Sequence, residues 1–134
     1  MKHNEKSLMY FSHPYSGKRK NKKLIEKCVK YLNKEFGENF TVVSPVHTFG
    51  FMYKTTSYED GLDMCLNLLD RCNVIMLGKD WLSSKGCKQE YLRAIELNIP
   101  IVLMRGEDKF EFLSYGNWKT DEEDGEKDEQ FREI

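Results

Sequence analysis

Ser84, Gly86 and Glu90 lie within seven residues of one another, in Ser84-Lys85-Gly86-Cys87-Lys88-Gln89-Glu90. The apolar run Val74-Ile75-Met76-Leu77-Gly78 precedes them, and Tyr91, Ala94, Ile95 and Leu97 follow at helical spacing. A serine and a glycine therefore sit where a strand gives way to a helix. The first N–H groups of a helix have no intrahelical acceptor, so such a start suits a phosphate or carboxylate. Glu90 comes one turn further in. At about 100° per residue it falls near Cys87, Ala94 and Leu97, inside the apolar face. A carboxylate there is costly to ionise unless something pairs with it. Acids are retained in such places mostly for chemistry or for one specific hydrogen bond.

Two further loops carry candidate groups. His13-Pro14-Tyr15-Ser16-Gly17 follows the apolar stretch Leu8-Met9-Tyr10-Phe11. It reads either as an N–H cradle with an aromatic face for a sugar or base, or as a plain Pro/Gly turn. The stretch from Pro45 to Tyr58 holds His47, Phe49, Phe51, Tyr53 and Tyr58. Such a cluster stacks on a nucleobase, packs on itself as a lid, or forms a dimer surface.

The elements that must position these groups alternate. Leu8 to Ser12 reads as a strand. Asn21 to Phe36 reads as a helix, with Leu24, Ile25, Cys28, Val29, Leu32 and Phe36 at helical spacing and Gly37 as its C-cap. Phe40 to Ser44 is a second strand, stopped by Pro45. Ser57-x-x-Asp60 signals a helix start, and that helix runs through Leu69 or Cys72. Val74 to Gly78 is a third strand, Ser84 to Asn98 a helix, and Pro100 to Arg105 a fourth strand. The pattern predicts an α/β chain: a single-domain, doubly wound sheet of four to five mainly parallel strands with helices on both faces. In that class ligands bind beyond the carboxyl ends of the strands, where all three loops fall. Residues 1–118 read as the domain and 119–134 as an acidic, mobile tail, with Phe110, Phe112, Tyr115 and Trp118 packing back on the body.

Bulk composition narrows the classes. The 134 residues are 40% hydrophobic and 32% charged, ordinary for one soluble domain. The net charge of −1 argues against stable nucleic-acid binding. It conceals an asymmetry: residues 1–40 carry ten Lys/Arg against four Asp/Glu, and residues 119–134 carry three against eight. Both regions read as solvated surface, or the Lys18–Lys23 cluster guides an anionic ligand. No run reaches the ~20 apolar residues of a membrane helix, and Leu8-Met9-Tyr10-Phe11 is too short for a secretory core. Cys28, Cys65, Cys72 and Cys87 form no Cys-x-x-Cys pair and read as reduced thiols on helices of a cytoplasmic protein. His3, His13 and His47 show no metal-ligand spacing. A serine nucleophile is disfavoured, because there is no Gly-x-Ser-x-Gly, and no Gly-x-Gly-x-x-Gly or Walker pattern occurs.

The order of pieces is a strand with a Pro-Tyr loop, a long aromatic loop, a helix, a strand, then Ser84-x-Gly86-x-x-x-Glu90-x-x-x-Ala94. Across roughly residues 8 to 105 it resembles the nucleoside 2-deoxyribosyltransferase-like superfamily, and its small deoxynucleotide N-glycosidase-like members in particular. The resemblance implies cleavage of the N-glycosidic bond of a nucleoside or nucleotide, by hydrolysis or by transfer of the sugar. Glu90 would attack the anomeric carbon and form a covalent glycosyl-enzyme. Ser84 and Gly86 would hold a phosphate or 5′-hydroxyl. Pro14 and Tyr15 would flank the sugar or base, with His47 and Tyr53 also contacting substrate. Asp60 or Asp63 would protonate the leaving base. The family's helix aspartate falls at Cys65, counted back from Asn73, and Lys88 replaces a second motif glycine. No metal or organic cofactor is implied, and self-association is expected. The alternatives are a non-catalytic nucleotide-binding module of the same fold, and a structural partner protein using its aromatic loop as an interface.

Overall fold

In the computed structural model, residues 5–106 and 108–114 are described. The strands are β1 (Ser7–Ser12), β2 (Phe40–Val43), β3 (Val74–Leu77), β4 (Ile101–Gly106) and β5 (Lys109–Ser114). The helices are α1 (Arg19–Phe36), α2 (Pro45–Phe49), α3 (Tyr58–Leu69) and α4 (Lys85–Glu96). Short 3-10 turns at Gly50–Met52 and Trp81–Ser83 lead towards α3 and α4. The sheet order is β2-β1-β3-β4-β5. The first four strands run parallel and β5 pairs antiparallel with β4.

Strand alternation sorts the core into two layers. Met9 and Phe11 of β1, Val74 and Met76 of β3 and Met104 of β4 pack on Ile25 and Leu32 of α1. Tyr10, Ile75, Leu77, Ile101 and Leu103 face the other way, onto Leu69, Trp81, Cys87, Tyr91, Ala94 and Ile95. One domain with helices on both faces results. The first layer is closed by α1, whose outer face is mostly Lys, and the second by α3 and α4.

Every strand expected from the sequence is present, to within a residue or two. Ser57 caps α3 by accepting from the Asp60 N–H at 3.1 Å. Asn73 opens β3 by bonding β1 twice: its side chain accepts from the Leu8 N–H at 2.7 Å, and its own N–H donates to the Leu8 carbonyl at 2.9 Å. Four details differ. The segment after Pro45 is helical rather than open loop, because Ser44 caps it and Pro45 sits at its first position. Phe110 and Phe112 lie in a paired strand, β5, from which Phe110 packs on the α1 layer while Phe112 is exposed. Cys72 lies beyond α3, where its thiol donates to the Leu68 carbonyl at 3.4 Å. Leu97 caps α4 at the surface instead of extending its apolar face. The acidic tail and the packing of Tyr115 and Trp118 fall outside the described residues. No helix among the described residues is long and apolar enough to cross a membrane, and all four cysteines are free thiols.

The chain leaves β1 towards β2 on one side and returns to β3 on the other. The loops after these strands therefore diverge, leaving a crevice at the ends of β1 and β3.

Candidate active site

Glu90 fills the floor of that crevice. The alternation that points Met9 and Phe11 at α1 points Tyr10 and Ser12 at α4. Glu90 lies in the second turn of α4, on the face that buries Cys87, Tyr91 and Ala94 against the sheet, and is itself 6% exposed. The Tyr10 hydroxyl donates to Glu90 Oε2. The Ser12 hydroxyl donates to Oε1 at 2.7 Å. Burial pushes the Glu90 carboxyl up to about 7, while the two hydroxyl donors pull the other way. It is thus poised between acid and carboxylate near neutrality.

The neighbours form a continuous polar seam. The Cys65 thiol shares a hydrogen bond with Tyr10, and burial followed by the Glu90 charge pushes it up to about 11. The Cys87 thiol bonds with Ser12 and Ser84, and the same two causes push it up to about 12. Burial and the Glu90 charge also raise Tyr10 well above the ordinary phenol value. The raised values keep all three protonated around Glu90, and the Tyr10 hydroxyl donates to it.

Above Glu90 opens a cavity of about 460 Å³, within the range of small-molecule sites. Tyr15, Phe49, Tyr53, Tyr58, Leu62 and Met64 give it apolar walls. Ser84, Lys85 and Gly86 form one rim. Ser84 caps α4 by accepting from the Cys87 N–H at 3.1 Å. The Lys85 and Gly86 N–H groups belong to the first turn, which no helix carbonyl reaches. A Cβ on Gly86 would meet nothing nearer than 3.8 Å, so the space before these groups is open. The Lys85 ammonium lies 5.3 Å from the centroid of the Tyr58 ring.

The opposite rim is the loop after β1. Ser16 and Gly17 both take positive φ, 55° and 69°. A Cβ on Gly17 would stand 2.7 Å from the Tyr53 ring, so only glycine permits both this turn and this contact. Tyr53 meets Tyr15 edge-on at 5.2 Å between centroids. The side chain of Asn21 donates to the Tyr15 carbonyl at 2.8 Å and ties the loop to α1.

Of the residues marked by sequence, the fold gathers Glu90, Ser84, Gly86, Tyr15 and Tyr53 around one cavity. Pro14 shapes the loop between two lining residues without lining the cavity itself. His47 is elsewhere: its Nδ1 lies 2.8 Å from the Ser44 hydroxyl and its Nε2 2.8 Å from Glu26, so it pins α2 to α1. Asp60 and Asp63 are also outside the wall. They lie on the exposed face of α3, where Asp63 accepts from Asn67, while Gly61, Leu62, Met64 and Cys65 face inward. Neither aspartate is among the residues that line the cavity. Sequence reasoning missed Tyr10 and Ser12 and marked His13 only as part of its loop. Tyr10 and Ser12 were visible as two hydroxyl residues spaced i, i+2 in an apolar strand, hence on one face.

The family described as Domain of unknown function (DUF4406) matches residues 7–103 of the chain. The chain belongs to that family. No curated protein matches the sequence. The matched region runs from the first residue of β1 into β4 and so includes Tyr10, Ser12, Ser84, Gly86 and Glu90.

Proposed function

We propose that the protein cleaves the N-glycosidic bond of a nucleoside or nucleotide, by hydrolysis or sugar transfer, through a covalent Glu90–sugar intermediate. The observation that carries this reading is Glu90 itself. It is a buried carboxylate held at both oxygens, facing a cavity of nucleoside scale and tuned close to neutral pH. A nucleophile needs that balance: enough burial to sharpen its charge, enough hydrogen bonding to keep the charge. The aromatic walls suit a base, and the start of α4 suits a phosphate or 5′-hydroxyl. The resemblance of Ser84-x-Gly86-x-x-x-Glu90 to the nucleoside 2-deoxyribosyltransferase-like superfamily points the same way.

One observation favours a second reading, a nucleotide-binding module without turnover. Among the described residues no aspartate lines the cavity, and Cys65 stands on α3 where a proton donor for the leaving base is expected. The cytoplasm as location, suggested by the four free thiols, and self-association through exposed Phe51, Tyr53, Tyr58 and Leu82 belong to the same proposal.

The test is incubation with the 2′-deoxyribonucleosides and their 5′-monophosphates, with free base followed by chromatography. Native protein should release base, and Glu90→Gln should release none. Micromolar binding without base release would favour the binding module. Equal release by Glu90→Gln would overturn the nucleophile.

A further inference from the structure

His13 lines the same cavity as Glu90 but takes no part in the seam that holds it. Its Nδ1 lies 2.8 Å from the Pro14 carbonyl oxygen. A carbonyl only accepts, so Nδ1 carries the hydrogen and Nε2 keeps a lone pair. The ring is fixed in place. Its centroid is 5.6 Å from that of Phe11. Its Cδ2 edge leans on Gly78, where a Cβ would stand 2.5 Å away. With Cγ and Cδ2 against Gly78 and Nδ1 against Pro14, the side of the ring left for the cavity is Cε1 and Nε2. Burial holds the imidazole below its ordinary value, with Asp80 and the Pro14 carbonyl acting in the opposite direction, so it rests neutral.

The placement of the two groups is complementary. Ser12 turns towards α4 to hold Glu90, and His13 is the next residue, leaving the strand end on the other side. A sugar seated over the end of β1 would have the carboxylate on one face and the imidazole on the other. In a double-displacement reaction the second nucleophile attacks the face opposite the covalent link.

We propose that His13 is the general base of the second half-reaction, taking the proton of the water that releases the sugar from Glu90. This rests on the glycosidase reading above. In the first step a Glu90 oxygen bonds to the anomeric carbon. The C–N bond breaks, and the base leaves with the electron pair and takes a proton from solvent. In the second step water oxygen bonds to the same carbon and its proton passes to His13 Nε2. The C–O bond to Glu90 breaks, with the pair returning to the carboxylate. His13 then loses the proton to solvent. The role needs no aspartate, in keeping with a cavity wall that has none among the described residues.

The test uses the full chain, His13→Gln, and whichever 2′-deoxyribonucleoside or 5′-monophosphate the native protein cleaves. The first base released should appear as a burst of native rate. Steady turnover should then fall by about 10²-fold or more. Intact-mass measurement should show the sugar adduct accumulating on the variant. Sodium azide needs no deprotonation, so it should restore turnover and give the glycosyl azide. Gly78→Ala, which pushes the ring aside, should show the same pattern more weakly. A His13→Gln protein that turns over at the native rate overturns the base role. So does one that loses the burst, or one that gains nothing from azide. Native protein that releases no base from any of these compounds instead removes the reading on which the role rests.

Discussion

Two hydroxyls from one strand decide the behaviour of Glu90. Burial disfavours its charge, and Tyr10 and Ser12 each return part of that cost. A hydrogen bond to a charged group contributes roughly 1.5–3 kcal/mol, or about one to two pH units. Tyr10→Phe removes one such bond and leaves the ring's packing nearly intact. The Glu90 carboxyl should rise further, and the acidic limb of the pH–rate profile should move up by about one to two units. An unmoved limb would mean that Tyr10 does not hold the charge. Glu90 itself was legible, because an acid on an apolar helix face conflicts with its surroundings. Its partners were less so: Tyr10 and Ser12 are 80 and 78 positions away. Nothing in local sequence states that this strand end and this helix turn meet. An acid near a site in sequence need not line it, as Asp60 and Asp63 show. A helix turns by about 100° per residue, and theirs is the outer side.

The start of α4 is where an element, and not a single side chain, is expected to read the ligand. The first-turn N–H groups and the Ser84 hydroxyl converge on open space before Gly86. Gly86→Val would fill that space without striking the backbone. Ser84→Ala would remove a donor and a cap, at about 1 kcal/mol of stability. The double variant should weaken phosphorylated ligands by roughly 1.5–3 kcal/mol more than their dephosphorylated forms. Equal losses in calorimetry would show that this helix start does not read phosphate. The long elements were legible because hydrophobic periodicity needs length, and α1 and α4 have it. Pro45–Phe49 spans only five residues, too few for a period to show, so α2 read as loop. In β5 the alternation of Lys109, Phe110, Glu111 and Phe112 was present, but its partner strand was not indicated by any local signal.

At the scale of the whole molecule, the chain's divergence after β1 and β3 opens the crevice, and Glu90 is buried on its floor. Stability and activity should therefore oppose each other with pH. In the unfolded chain Glu90 titrates near 4.5, and in the native protein burial pushes it up to about 7. Between these values the native state holds a proton that the unfolded state has lost. Unfolding then becomes easier as pH rises through the window, and the loss is complete above about 7. Its size is about 3 kcal/mol on the same shift. Over the same interval the carboxylate form grows, so turnover that depends on it should rise. Glu90→Gln has no such proton to lose. Denaturant melts from pH 5 to pH 8 should show native stability falling relative to Glu90→Gln, with the gap closing in the acid direction. The difference between the two proteins cancels the histidines and other groups that titrate in the same range. Parallel stability curves would mean that Glu90 ionises as freely in the folded protein as outside it. The Tyr10 and Ser12 hydroxyls would then offset the whole cost of burying its charge.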